Sequence, residues 1–247
     1  MKTLFLAWQD RGPRRAWYPI GRLDADVAAS HYEFRYTKGA ERARREVGFP
    51  ALPAFPELNR RYESTELFPL FQNRVFDPRR KDFGDYLRWL DLSPDQADPI
   101  EILAVSGGQR QTDNLEVFPK ITKQPDGSFV CRFFIHGIRH ASASAQERVT
   151  RLREDEPLRI AVELNNPATG VAIQLCSEDY QMLGWTPRYL VDDLVHAVAT
   201  APVLQAKVVR VNEPGVPVNQ RVLVEMSGSL PPAVEPMSSE QFQPVGN

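Results

Sequence analysis

The sequence predicts an α+β fold, mainly β, in which an α+β module (1–122) precedes a small β-barrel with one helix (123–230). Three observations carry this. Short alternating segments follow one another from Glu116 to Met226 with turn residues between them, and only one helical pattern interrupts them. The first 36 residues read as three more short strands. Between the two groups lie prolines 50, 53 and 56 and several short helical patterns.

Taken in order, Leu4, Leu6 and Trp8 alternate with Phe5 and Ala7, as in a strand buried on at least one face. The breaker-rich D-R-G-P-R-R turn leads to a second strand, Trp17 to Leu23. In a third, Tyr32, Phe34 and Tyr36 alternate with His31, Glu33 and Arg35. Residues 39–48 are charged, with Arg42, Arg44 and Arg45. The F-P-A-L-P-A-F-P run is a rigid connector, because each Pro lacks an N–H and holds its predecessor extended. A short helix is expected from Pro56 to Tyr62, then an apolar cluster from Leu67 to Phe76. Phe83, Tyr86, Leu87 and Leu90 have helical spacing, with Asp82 as candidate cap. Another short helix, Pro99 to Leu103, leads into the Ser106-Gly107-Gly108 turn.

The β-rich part is read as strands at 116–121, 128–136, 158–164, 171–175, 180–184, 203–212 and 221–226. The single helix spans Pro187 to Thr200, with Pro after Thr186 as the N-cap arrangement. Residues 231–247 are polar and Pro-rich, and a flexible tail is expected there.

Composition limits the function classes. The 247 residues are 42% hydrophobic and 25% charged, enough apolar content for a core, and the net charge is -2. A polyanion partner would therefore need a local basic patch. Cys131 and Cys176 fall on apolar strand patterns and match no zinc or redox spacing, as expected of buried free thiols in a cytoplasmic protein. The N-terminus reads as a strand and not a signal peptide, and no apolar run reaches the ~18 residues of a bilayer span.

No motif assembles an active site. His136 and His140 are separated by a Gly on a strand pattern, and His31 and His196 lie apart, so no metal set has ligand spacing. The Ser106 turn lacks the Lys-Ser/Thr of a phosphate loop. The clusters Arg42-Arg44-Arg45 and Arg79-Arg80-Lys81 have acids beside them and read as solvated faces. A non-enzymatic protein without cofactor or metal is expected.

The informative stretch runs from Phe133 to Leu190. Arg139 follows Gly137 at a strand exit. Asn165 and Asn166 precede Pro167 in a turn, where their amides can donate and accept. Trp185 follows Gly184 at a strand end and suits a base-stacking platform or a core residue equally. Arg188 stands at a helix start, where backbone N–H groups already favour an anion.

The order of these pieces resembles the HIRAN domain over residues 129–226: Gly-Ile-Arg at the strand exit, then L-N-N-P-A-T-G-V-A-I-Q-L, then L-G-W-T-P-R. The resemblance implies a small OB- or SH3-like barrel that binds single-stranded DNA and captures a free 3′-hydroxyl end. It points to Arg139, His140, Ala141, Asn165, Asn166, Ala168, Thr169, Trp185 and Arg188. His140-Ala141 stand where the family has two aromatics, and Ala168-Thr169 where it has Tyr-Asp, so DNA binding is implied more firmly than end specificity. The first half, through I-G-R-L, Y-E-F-R-Y, F-P-A-L-P-A-F-P and L-F-P-L-F-Q-N-R, resembles the N-terminal subdomain of HipA-type toxins without their kinase core. The expected function is recognition of single-stranded DNA or DNA 3′ ends in repair or phage defence. The alternative is a regulatory component of a HipA-like toxin–antitoxin system that meets a HipA-like kinase or another protein partner.

Overall fold

A computed structural model describes residues 1–12, 15–199 and 204–246. The fold is α+β, mainly β, with two antiparallel sheets. The chain forms two compact units: residues 1–88, 92–120 and 237–247 in one, 89–91 and 121–236 in the other.

The first unit opens on the expected meander, β1 (Lys2–Gln9), β2 (Trp17–Asp26) and β3 (His31–Tyr36). Helix α1 (Lys38–Val47) occupies the charged segment. It buries only Gly39, Ala40 and Ala43, small residues that let its backbone lie close to the sheet. The helix expected at 56–62 does not form. Residues 57–60 turn instead, because the Tyr62 hydroxyl both accepts from the Glu57 N–H (2.8 Å) and donates to the Glu57 carbonyl (3.2 Å). Tyr62 then begins β4 (Tyr62–Ser64). Three helices follow: α2 (Pro69–Gln72), α3 (Phe83–Trp89) and α4 (Pro99–Ser106). Asp98 caps α4 by accepting from the N–H groups of Ile100 and Glu101, whereas the Asp82 carboxylate pairs with Arg80 instead of capping α3.

Strand β5 (Leu115–Pro119) pairs with β1 and completes the order β4-β3-β2-β1-β5. Its buried Leu115, Val117 and Phe118 belong to the first unit. Leu4, Leu6, Ile20, Leu23, Phe34 and Phe71 fill the core, with Phe55 stacked on Phe34 at 4.0 Å between centroids.

Residues 237–246 of the segment expected as a flexible tail are packed here. Pro244 bridges Thr37, and Gln243 and Val245 form backbone hydrogen bonds with Lys38 and Tyr36. The Phe242 ring lies 4.9 Å from that of Phe5. Three apolar side chains, Met237, Phe242 and Val245, anchor this stretch, and they are too widely spaced to show a period.

The second unit contains β6 (Ser128–Phe134), α5 (Ala143–Val149), β7 (Pro157–Asn166), β8 (Gly170–Cys176), β9 (Met182–Trp185), α6 (Val191–Ala199), β10 (Gln205–Val211) and β11 (Val222–Ser229). Their order is β6-β11-β10-β7-β8-β9. Helix α5 has no counterpart in the sequence pattern. Ser142 caps it, and it buries only Ala145 and Val149, too few for a visible stripe. The predicted 187–200 helix begins later: a 3-10 turn at Arg188–Leu190 precedes α6, and the Thr186 hydroxyl is buried without a hydrogen bond instead of capping. Its predicted end, Thr200, and the first residue of the predicted 203–212 strand lie outside the described residues.

The expected closed barrel does not form. The two edges of the sheet meet at one bridge, where His136 and Trp185 exchange two backbone hydrogen bonds of 2.9 Å. Gly137, at φ +76°, then turns the chain away, so no ladder continues to seal the seam.

Candidate nucleic-acid interface

The seam at His136 and Trp185 is also where the sequence-predicted residues gather. Gly184 permits it: a Cβ there would stand 2.4 Å from the His136 carbonyl oxygen. Gly137 opens the space for the indole, since a Cβ on it would meet Trp185 Cε3 at 2.5 Å. The ring of Trp185 therefore lies against the backbone of the strand exit that carries Arg139.

The indole is held in plane by a residue that the sequence reading missed. Trp185 Nε1 donates to Glu163 Oε2 at 2.7 Å, and Asn166 Nδ2 donates to the same oxygen at 3.0 Å. Glu163 lies on β7, opposite Ala172, and nothing in its spacing sets it apart from a solvated strand residue. Its pairing with Trp185 spans two strands, so only the sheet register could reveal it.

Asn166 is committed to the turn. Its Oδ1 accepts from the Ala168 N–H (3.0 Å), the Thr169 N–H (3.2 Å) and the Thr169 hydroxyl (3.1 Å). With its amide nitrogen on Glu163, both ends of the side chain are engaged in shaping the β7–β8 turn. Asn165, beside it, is exposed.

Arg139 and His140 form an exposed 3-10 turn with Ile138. Arg139 Nε donates to His140 Nε2 at 3.1 Å, and no carboxylate among the described residues pairs with Arg139. Ala141 is buried and leaves the surface. Arg188 is half-buried in the turn before α6. The structure thus joins the strand exit, Trp185 and the β7–β8 turn through Gly137 and Glu163.

Other charged groups are neutralised locally. Arg42 pairs with Glu46, Arg79 with Asp77 and Arg80 with Asp82, in keeping with solvated faces. His31, Glu33 and Glu63 place ligand atoms within 4.8 Å of one another across β3 and β4, a grouping invisible to linear spacing. Arg61 sits on both carboxylates, at 2.5 Å from Glu33 and 2.7 Å from Glu63, and Arg35 adds a second contact to Glu33. These guanidiniums neutralise the two carboxylates. The two cysteines are free and half-buried; burial, with Asp193 and Glu225 nearby, pushes the Cys131 thiol up to about 12.

Hydrogen bonds from Asn166 and Trp185 hold the Glu163 carboxyl below its ordinary value of 4.5. A carboxylate with a depressed folded value contributes stability that is complete above the unfolded value and is lost as pH falls through the folded one. Acid titration is therefore expected to change Trp185 emission with a midpoint below 4.5. The change should vanish in Glu163→Gln, whose amide oxygen still accepts from the indole but does not titrate. An identical transition in Trp185→Phe would assign the signal to another Trp and refute the assignment.

Among the described residues, no helix is long and apolar enough to cross a membrane. No protein-family model and no curated protein matches the chain. Two solved structures are similar to parts of it. One is a protein from Lactobacillus plantarum, 16% identical with a TM-score of 0.34, covering 41% of this chain and 97% of that one. The other is the HIRAN domain of human HLTF, 16% identical with a TM-score of 0.33, covering 48% of this chain and 93% of that one.

Proposed function

We propose that the second unit binds single-stranded DNA or DNA ends, without a catalytic step, in repair or phage defence. The contact surface would carry Arg139, His140, Asn165, Trp185 and Arg188. The observation that carries the reading is Arg139, an exposed guanidinium with no carboxylate partner among the described residues, close in the chain to the Gly137 backbone on which a fixed Trp lies. A fixed indole suits sequence-tolerant stacking of a base, and an unneutralised Arg suits a phosphate. The Glu163 charge repels phosphate from the indole N–H edge, which directs the backbone towards Arg139 and a base towards the ring.

Asn166 does not contact the ligand in this arrangement. Its role is to hold the turn and Glu163, while Asn165 is the amide available to sugar or base. The test is a titration of a labelled single strand across salt concentrations, with free and blocked 3′ ends. Binding should weaken as salt rises, with a log–log slope of about -0.7 per phosphate contacted. The 3′ block should matter little, because Ala168 and Thr169 replace the end-reading pair of the family pattern. Absence of binding at low salt would refute the proposal.

A further inference from the structure

Strand β7 offers an outer edge. It pairs with β8 from Arg159 to Glu163, but its contact with β10 stops at Leu158 opposite Ala206. Beyond that point no described strand covers its other side. Val162 and Leu164 on this stretch are 40% and 70% exposed. Residues 158–163 contain no Pro and no Lys, and the register shift of β7 falls only after Glu163.

The sequence of this edge is complementary to itself. Residues 158–164 read L-R-I-A-V-E-L. In an antiparallel pair of two copies centred on Ala161, Arg159 faces Glu163, Ile160 faces Val162, and Leu164 approaches the Leu158 end. Charges and apolar groups both match, and residues directly opposite are the ones that interact across a ladder. Within one chain the two charges cannot satisfy each other: four residues of strand separate them, roughly 13 Å. Among the described residues, Glu163 has no cationic partner and Arg159 has no carboxylate. Glu163 is held only by neutral donors, and Arg159 stacks on Tyr180 and donates to the Glu178 carbonyl.

We infer that β7 is a docking edge for a second copy of this chain, pairing antiparallel about Ala161, with Arg159 of each copy on Glu163 of the other. An isologous contact of this kind closes on itself and gives a dimer, not a filament. It needs no nucleic acid, so it stands apart from the function proposed above.

The test is site-specific cross-linking and charge exchange in the full chain without DNA. At the axis, Cα atoms of opposite residues are ~4.5–5.5 Å apart, inside the range a disulfide spans. Ala161→Cys should therefore cross-link under mild oxidation well above the wild-type background set by Cys131 and Cys176. Ala168→Cys, at the hairpin tip, should not, since seven residues from the axis place the two copies roughly 40 Å apart. By light scattering, Arg159→Glu and Glu163→Arg should each weaken the dimer at least about tenfold, on the order of one unpaired charged contact. An equimolar mixture of the two variants should restore it. In the mixed pair, one chain carries Glu at both 159 and 163 and the other carries Arg at both, so both charged contacts are again opposite in sign. A wild-type chain that scatters as a monomer at every concentration would overturn the inference. So would equal cross-linking at positions 161 and 168, or an Arg159→Glu variant that dimerises like the wild type. If Ala161→Cys fails to fold, the mixing experiment decides.

Discussion

Gly184→Ala is expected to destabilise the second unit by about 3 kcal/mol, through overpacking against backbone and loss of the seam hydrogen bonds. The added Cβ would meet the His136 carbonyl oxygen at 2.4 Å and Ile135 Cγ2 at 2.5 Å. A flexible side-chain end could yield, but this carbonyl accepts from the Trp185 N–H and is fixed by the paired bond from the His136 N–H to the Trp185 carbonyl. Relief therefore requires the seam to open. Once it opens, Trp185 leaves Gly137 and its bond to Glu163 is strained. Urea unfolding followed by far-UV dichroism and Trp emission would show both effects, a lower midpoint and altered native emission. Gly215→Ala is the matched comparison, since nothing lies within 4 Å of a Cβ there. Equal midpoints for the two variants would show that the seam yields freely and does not hold the sheet.

The double variant Arg139→Ala/Arg188→Ala is expected to bind single-stranded DNA about tenfold to a hundredfold more weakly at low salt, and to flatten the salt slope by about 1.4. The slope is the more telling readout. A variant that merely unfolds loses binding without a defined slope, whereas loss of two phosphate contacts leaves weaker binding that responds less to salt. Dichroism should stay unchanged for the Arg139→Ala single variant, because that side chain is exposed and bonds to the His140 ring alone. An unchanged slope in the double variant would place the phosphate contacts elsewhere on the surface. The exposed Arg44 and Arg45 of α1 would then be the next cations to examine.

Much of the strand content is legible in the sequence because it depends on local alternation. The period of two in 31–36 places β3 where the structure has it, and the strand read at 128–136 forms over 128–134. Short helices are harder to read. Helices α1 and α5 bury three and two residues respectively, mostly Gly and Ala, so the stripe each presents is too weakly apolar to stand out. The Pro56–Tyr62 segment has helix-start residues, yet a hydroxyl five residues away from Glu57 ties the chain into a turn. Residues 237–246 carry only three anchors on an otherwise polar stretch, and their packing depends on a sheet formed about two hundred residues earlier in the chain.

The sequence alone determined where the polar turns fall. The order of Gly137-Ile138-Arg139, Asn165-Asn166-Pro167 and Gly184-Trp185 marked a polar surface before any contact was known, because Gly, Pro and Asn report turns through their own backbone preferences. Tertiary structure alone decided which partners those residues take. It turned Asn166 inward, buried Ala141 and brought in Glu163. It also left the sheet joined at a single bridge instead of closed. The physical reason is register. A side chain's partners across a sheet are set by which strand lies opposite and at what offset, and linear spacing carries no record of either.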